Sequence, residues 1–238
     1  MQDGATAGMP SRPGPGNLAR IIDHTLLKPT ATAGDIARLC AEAQQFGFYA
    51  VCVHGVWVGE ARRRLAGSGV AVAAVAGFPL GASATPAKGY EAARAVAEGA
   101  SEVDMVINLG WLKAGADPAV AGDVERVVAA VKAENPGALV KVIIETCYLS
   151  EEEKARACRL AVQGGAGFVK TSTGFGPAGA TAGDVALMRW VVGPDIGVKA
   201  AGGVRSAADA LAMVAAGASR IGTSSGPAIV GDADGSGR

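Results

Sequence analysis

Three ionisable residues interrupt otherwise apolar runs of the chain: Asp104 in EVDMV, Lys170 in FVKTSTG and Lys199 in GVKAAGG. Burying such groups is costly unless they serve one another. Each alone reads equally well as part of an ion pair closing a barrel floor, or as a snorkelling side chain. Together they have a specific use. A free lysine, with a pKa of ~10.4, is a protonated non-nucleophile near neutrality. A neighbouring cation and partial desolvation both disfavour that charged form. The neutral amine can then attack an aldehyde and form an imine. A carboxylate beside it can move protons during carbinolamine formation and C–C cleavage. The trio therefore points to imine chemistry that needs neither metal nor organic cofactor.

Other residues could take part. Asp23 in IIDHTLL reads either as a relay acid or as an N-cap or barrel-floor acid. Lys141 and Glu145 fall on one face of a single predicted strand, where a supporting ion-pair network is expected. His24 and His54 show no H-x-H or H-E-x-x-H spacing, so no metal site is expected and a zinc-dependent mechanism is disfavoured. The four cysteines, Cys40, Cys52, Cys147 and Cys158, contain no C-x-x-C pair and read as free thiols of a reducing cytoplasm. No motif places a histidine base near Cys52, so it reads as a pocket or core residue. Trp57, Trp111 and Trp190 are expected to be packing residues.

A barrel of alternating strands and helices would position these groups. Eight short, mostly apolar runs begin at Ile21, Tyr49, Val70, Glu102, Leu139, Phe168, Gly197 and Arg220. Being apolar on both faces, they suit parallel strands covered by helices. Between them lie Ala-rich helical stretches at 32–46, 56–65, 86–98, 118–133, 150–163, 181–190 and 206–216, with a short one after Ser225. Ser150 through Glu153 has the spacing of a capping box, and Pro86 and Pro118 sit where a first-turn proline is tolerated. QFGFYAVCV, AEGASEVDMV, QGGAGFVKT and AAGASRIGT share one plan: helix end, glycine, strand. Gly47, Gly99, Gly165 and Gly217 are thus expected at positive φ. The fold class is α/β, a single-domain (β/α)8 TIM barrel. A doubly wound open sheet is the alternative, weakened because no G-x-G-x-x-G follows the first strand. The barrel is placed at 17–230, between a disordered N-terminal extension, 1–16, and a flexible tail, 231–238.

In such a barrel, polar residues at the C-terminal strand ends mark the active site, and the loops after strands seven and eight commonly bind phosphate. Here those loops contain Gly202 and Gly203, then Gly222, Ser224 and Ser225. Glycines let backbone N–H groups approach a phosphate and serines add donors; turn glycines with helix-capping serines are the alternative. Arg205 is near enough to add a field. Thr173 and Gly174, just after Lys170, join the candidate substrate-binding residues.

The strings DHTLLKP, EVDMVINLG, KVIIET, FVKTSTGF, VKAAGGVR and RIGTSSG resemble the deoxyribose-phosphate aldolase family, in its order and over nearly the whole barrel. The resemblance implies reversible cleavage of 2-deoxy-D-ribose 5-phosphate to D-glyceraldehyde 3-phosphate and acetaldehyde. It implies Lys170 as the Schiff-base lysine, Lys199 as the second lysine that perturbs it, Asp104 as the proton-transfer carboxylate and Asp23 as a supporting relay. Thr25 and Leu27 would line the small-aldehyde end of the pocket, with Cys52 near the substrate. The tail departs from the family: GDADGSGR lacks the terminal tyrosine that some members use at the enamine, leaving that step slower or served by water. Two other functions are weighed, a class I aldolase acting on another small phosphosugar and a non-catalytic phosphosugar-binding barrel.

The bulk composition fits. A barrel of this type takes ~250 residues as one domain, and this chain has 238, half of them apolar. Its 22 basic and 22 acidic residues cancel and form no block of like charge, so neither nucleic acid nor a membrane is an expected partner. The expected partners are phosphosugar and aldehyde small molecules, with a homodimer or homotetramer as candidate assemblies.

Overall fold

The structure, a computed structural model, describes residues 15–233. Eight parallel strands close into a barrel in sequence order: β1 (Ile22–Leu26), β2 (Ala50–Val53), β3 (Ala71–Ala76), β4 (Glu102–Val106), β5 (Leu139–Ile143), β6 (Phe168–Lys170), β7 (Gly197–Ala201) and β8 (Arg220–Thr223). Every strand lies within its expected apolar run. The open doubly wound sheet is excluded, because β8 pairs with β1.

Around the barrel run α1 (Ala33–Phe46), α2 (Val58–Arg64), α3 (Thr85–Ala97), α4 (Leu109–Lys113), α5 (Asp117–Glu134), α6 (Glu151–Gln163), α7 (Ala182–Val192), α8 (Ala207–Ala215) and α9 (Gly226–Ala233). Local chemistry sets their starts. Thr32, Ser150 and Ser206 each form a reciprocal capping box, with Asp35, Glu153 and Asp209 respectively, satisfying donors that the first helical turn leaves unpaired. The four repeat glycines all have positive φ, as expected for residues turning a helix end into the next strand.

The element boundaries differ from expectation at both ends. A 3-10 turn begins at Pro15, and α9 continues to Ala233. The barrel's described elements thus extend past both edges of the 17–230 span. Most of the expected extension (1–16) and the end of the expected tail (231–238) lie outside the described residues. The short helix α4 was not anticipated. Asn108 caps it, its side chain accepting from the Trp111 N–H at 3.0 Å. Trp57 packs partly against the core, but Trp190 is 79% exposed, so it is not the packing residue expected.

The main core lies between barrel and helices and includes Val51, Val103, Val142, Val169 and Val198. Within it α3 and α5 enclose an ion pair, Lys88 to Asp123 at 2.6 Å, both side chains fully buried. Lys88 also donates to the Val106 carbonyl at 3.0 Å, tying these helices to the end of β4, two residues beyond Asp104. Removing one partner of such a pair costs about 3–5 kcal/mol, because the other is left charged and buried.

Candidate active site

Strand register sets the levels inside the barrel. Lys170 on β6 pairs with Lys199 on β7, and Asp104 on β4 pairs with Lys141 on β5. The side chains meet on the barrel axis. Asp104 Oδ2 accepts from Lys170 Nζ at 2.9 Å and from Lys199 Nζ at 2.8 Å. Its Oδ1 accepts from Lys141 Nζ at 2.6 Å. Asp23 on β1 accepts from Lys199 at 2.5 Å through Oδ2 and from Arg220 at 2.9 Å through Oδ1. Glu102 completes the column toward the barrel floor, 2.7 Å from Lys141 and 3.2 Å from Arg220. The Arg220 guanidinium itself lies 3.4 Å above the Tyr49 ring, a cation–π contact that partly replaces lost hydration.

The electrostatics follow from these distances. Burial alone would raise Asp104, but Lys141, Lys170 and Lys199 outweigh it and hold the carboxyl well below the usual range. Burial likewise opposes ionisation of Asp23, and Lys199, Arg220 and Lys141 overcome it. Burial would lower Lys199, yet Asp104 and Asp23 push it well above the ordinary lysine range. Lys199 is thus a fixed cation. The column holds three carboxylates, Asp23, Glu102 and Asp104, and four bases, Lys141, Lys170, Lys199 and Arg220. One positive charge is in surplus when all are ionised. Losing a proton from one lysine balances the column.

Lys170 is the member of the column that reaches an opening. It lines a cleft of about 250 Å³ at the C-terminal end of the barrel, with Thr25, Leu27, Thr173, Gly174, Gly202, Gly203, Gly222 and Ser224. All of these were anticipated. At one end the β7 loop carries Gly202 and Gly203, both at positive φ, and the β8 loop leads through Ser224 into the start of α9. Backbone donors, Ser224 and the nearby Arg205 suit a phosphate there.

The structure also redistributes several expected residues. Asp104, Lys199 and Asp23 lie beneath the cleft and not on its wall, with Asp104 bonded to Lys170. Cys52 is fully buried against Leu27, Ala73 and Val75 and does not line the cleft. Burial raises its thiol, with Asp104 adding to the effect. Ser225 also stands off the wall, its N–H donating to Thr223 Oγ1 at 2.9 Å. Lys141 joins the expected network, but Glu145 does not. It falls beyond β5 and accepts from Thr173. His24 bonds Glu42 and His54 bonds the Leu27 carbonyl. Sequence reading missed Glu102 and Arg220 in the column and Lys28 and Phe175 on the wall. Lys28 stands within the quoted DHTLLKP and Phe175 within FVKTSTGF.

A closed (β/α)8 barrel whose axial lysine opens on a cleft, backed by a shared carboxylate, defines an aldolase-type barrel enzyme. The comparisons narrow this. A family model described as DeoC/LacD family aldolase matches residues 18–231. A deoxyribose-phosphate aldolase of Carboxydothermus hydrogenoformans is 57% identical over 213 residues, covering 90% of this chain and 93% of that protein. One from Thermococcus gammatolerans is 59% identical over 216 residues, covering 90% and 95%. The tetrameric deoxyribose phosphate aldolase from Aeropyrum pernix superposes with a TM-score of 0.85 at 35% identity, covering 91% of each chain. The chain belongs to the DeoC/LacD aldolase family.

Proposed function

We propose that the protein is a class I deoxyribose-phosphate aldolase that cleaves 2-deoxy-D-ribose 5-phosphate reversibly to D-glyceraldehyde 3-phosphate and acetaldehyde. One observation carries this reading: Lys170 opens on the cleft while sharing Asp104 Oδ2 with Lys199. Neutral Lys170 adds to the C1 carbonyl of the open-chain sugar, and loss of water gives the iminium. Asp104, ionised by its three lysines, accepts the C3 hydroxyl proton directly or through water. The C2–C3 bond breaks, and its electron pair moves into an enamine as glyceraldehyde 3-phosphate leaves. Protonation at C2 and hydrolysis release acetaldehyde and regenerate the amine. Lys199, kept cationic by Asp23 and Asp104, holds the Asp104 carboxylate in place beside Lys170. The glycine loops and Ser224 hold the phosphate. Its binding energy serves to place C3 at the reacting centre.

The family and the names of the relatives support the substrate, and the tetramer from Aeropyrum pernix supports a homodimer or homotetramer here. Four unpaired cysteines support a reducing, cytoplasmic setting. Among the described residues no helix is long and apolar enough to cross a membrane. The decisive experiment is borohydride reduction with acetaldehyde, followed by peptide mapping. One ethyl group is expected on Lys170. An adduct on Lys199, or none, overturns the assignment.

A further inference from the structure

Glu145 is the one non-glycine residue at positive φ among the described residues, with φ 53° and ψ 68°. An L-residue keeps this conformation only where its surroundings over-determine it. Here they do. Its neighbours Ile144 and Thr146 donate to the carbonyls of Lys170 and Thr171 at 3.0 and 2.9 Å. The chain is thereby pinned on both sides of Glu145 to the end of β6 and the residue after it, and the kink turns the buried carboxylate toward the loop that follows Lys170. No cation is paired with it in the column described above. Instead Oε1 accepts from the Thr173 N–H at 3.1 Å, and Oε2 accepts from the Thr173 hydroxyl. That hydroxyl in turn accepts from the Phe175 N–H at 3.0 Å. Two bonds to one buried carboxylate and a third to the Thr173 hydroxyl thus tie down residues 173–175, which form a wall of the cleft.

The clamped segment reaches the candidate phosphate loop after β7. A Cβ on Gly202 would lie 3.5 Å from Gly174 Cα and 3.1 Å from Gly179 Cα, and Ala180 N–H donates to the Gly202 carbonyl at 2.9 Å. The β6 loop is therefore held by Glu145 at one end and braced against the β7 glycine loop at the other. Movement at Thr173 would be transmitted to the glycines, while the side chains of Lys170, Asp104 and Lys199 are held to one another by the axial column.

We infer that Glu145 is a positioning residue that sets the width of the phosphate end of the cleft through Thr173. The inference deepens the proposed function and rests on its assignment of that end to phosphate. Loss of the clamp should therefore weaken binding of the phosphorylated sugar without disarming the imine-forming lysine.

The test uses the full chain and the variants Glu145→Gln and Glu145→Ala. Glu145→Ala is expected to raise KM for 2-deoxyribose 5-phosphate by about tenfold, the size of a lost charge-assisted hydrogen bond. Glu145→Gln keeps one acceptor and should raise it only a few-fold, roughly half that loss on a free-energy scale. The yield of ethylated Lys170 with acetaldehyde and borohydride should match wild type in both. Should the alanine variant not fold, the glutamine variant carries the test with Thr173→Val. The two single substitutions should then be non-additive in KM, because each breaks the same clamp. Unchanged KM, equal losses for the phosphorylated and unphosphorylated sugars, or additive effects overturn the inference. A wild-type protein that traps no acetaldehyde overturns the proposed function itself, a separate outcome.

Discussion

Lys170 and Lys199 donate to the same oxygen, Asp104 Oδ2, at 2.9 and 2.8 Å. Lys199 has a second carboxylate, Asp23, at 2.5 Å, and Lys170 instead has the cleft. Two lysines adjacent in the barrel register thus have different fates. The more heavily paired one is held as a cation, and the other presents its amine to the cleft.

This asymmetry predicts how the two lysines separate on substitution. Lys199→Leu removes a donor from both Asp104 Oδ2 and Asp23 Oδ2 and leaves two buried carboxylates short of a cation. Both kcat and the urea midpoint should therefore fall, kcat by about 10²-fold, the penalty of a misplaced group at a reacting centre. Lys199→Arg keeps the charge with a different shape, so the midpoint should hold while turnover falls from misplacement. Steady-state kinetics and urea titrations of wild type and both variants decide this. An unchanged kcat in Lys199→Leu would show that Lys199 does not position the reacting groups.

The same ion pairs link stability to pH in both directions. Asp23 and Asp104 are depressed in the folded protein. Their stabilisation is present above the unfolded carboxylate pKa of ~3.9 and is lost as pH falls toward the folded values. Lys141 and Lys199 are raised. Their stabilisation is present below the unfolded lysine pKa of ~10.4 and is lost as pH rises toward the folded values. The urea midpoint should be nearly level between about pH 6 and 9 and should decline on both sides. A midpoint that climbs steadily from pH 4 down to 2 would contradict the carboxylate assignment.

The barrel was legible in the sequence because strands buried on both faces leave short β-branched runs, and charges inside such runs stand out. Asp104, Lys170 and Lys199 were visible for that reason. Glu102 and Arg220 were not, since each opens its strand and looks like a surface residue until closure brings β4 and β8 across the axis. Glu145 looked like a partner of Lys141 because two-residue alternation was extended beyond the last residue of β5. A left-handed turn ends that alternation, and no periodicity reports it. Cys52 lies beside β1 Thr25 in the register, yet its side chain packs on Leu27 instead of reaching the cleft wall. The short helix α4 carried a readable signal, an asparagine three residues before the donor it caps.

Gly222 and Gly203 were both expected to make room for phosphate, and the structure gives them different work. A Cβ on Gly222 would fall 2.9 Å from Lys199 Cε and 3.0 Å from Ala201 Cβ. Lys199 is clamped by two carboxylates, so it cannot yield freely. Gly222→Ala should therefore push its amine off Asp104 and lower kcat by about 10²-fold, the penalty of a misplaced group at a reacting centre. The loss should be similar with 2-deoxyribose and its 5-phosphate. Gly203 has open space around its would-be Cβ but a φ of 81°, which a β-branched residue resists. Gly203→Val should shift the loop and leave the axial lysines in place. Its KM for the phosphorylated sugar should rise about tenfold, as for one lost charge-assisted bond, with little change for 2-deoxyribose. Steady-state kinetics on both sugars separate the two positions. Equal losses on both sugars for Gly203→Val would place the phosphate elsewhere, and a phosphate-selective loss for Gly222→Ala would return that glycine to the binding loop.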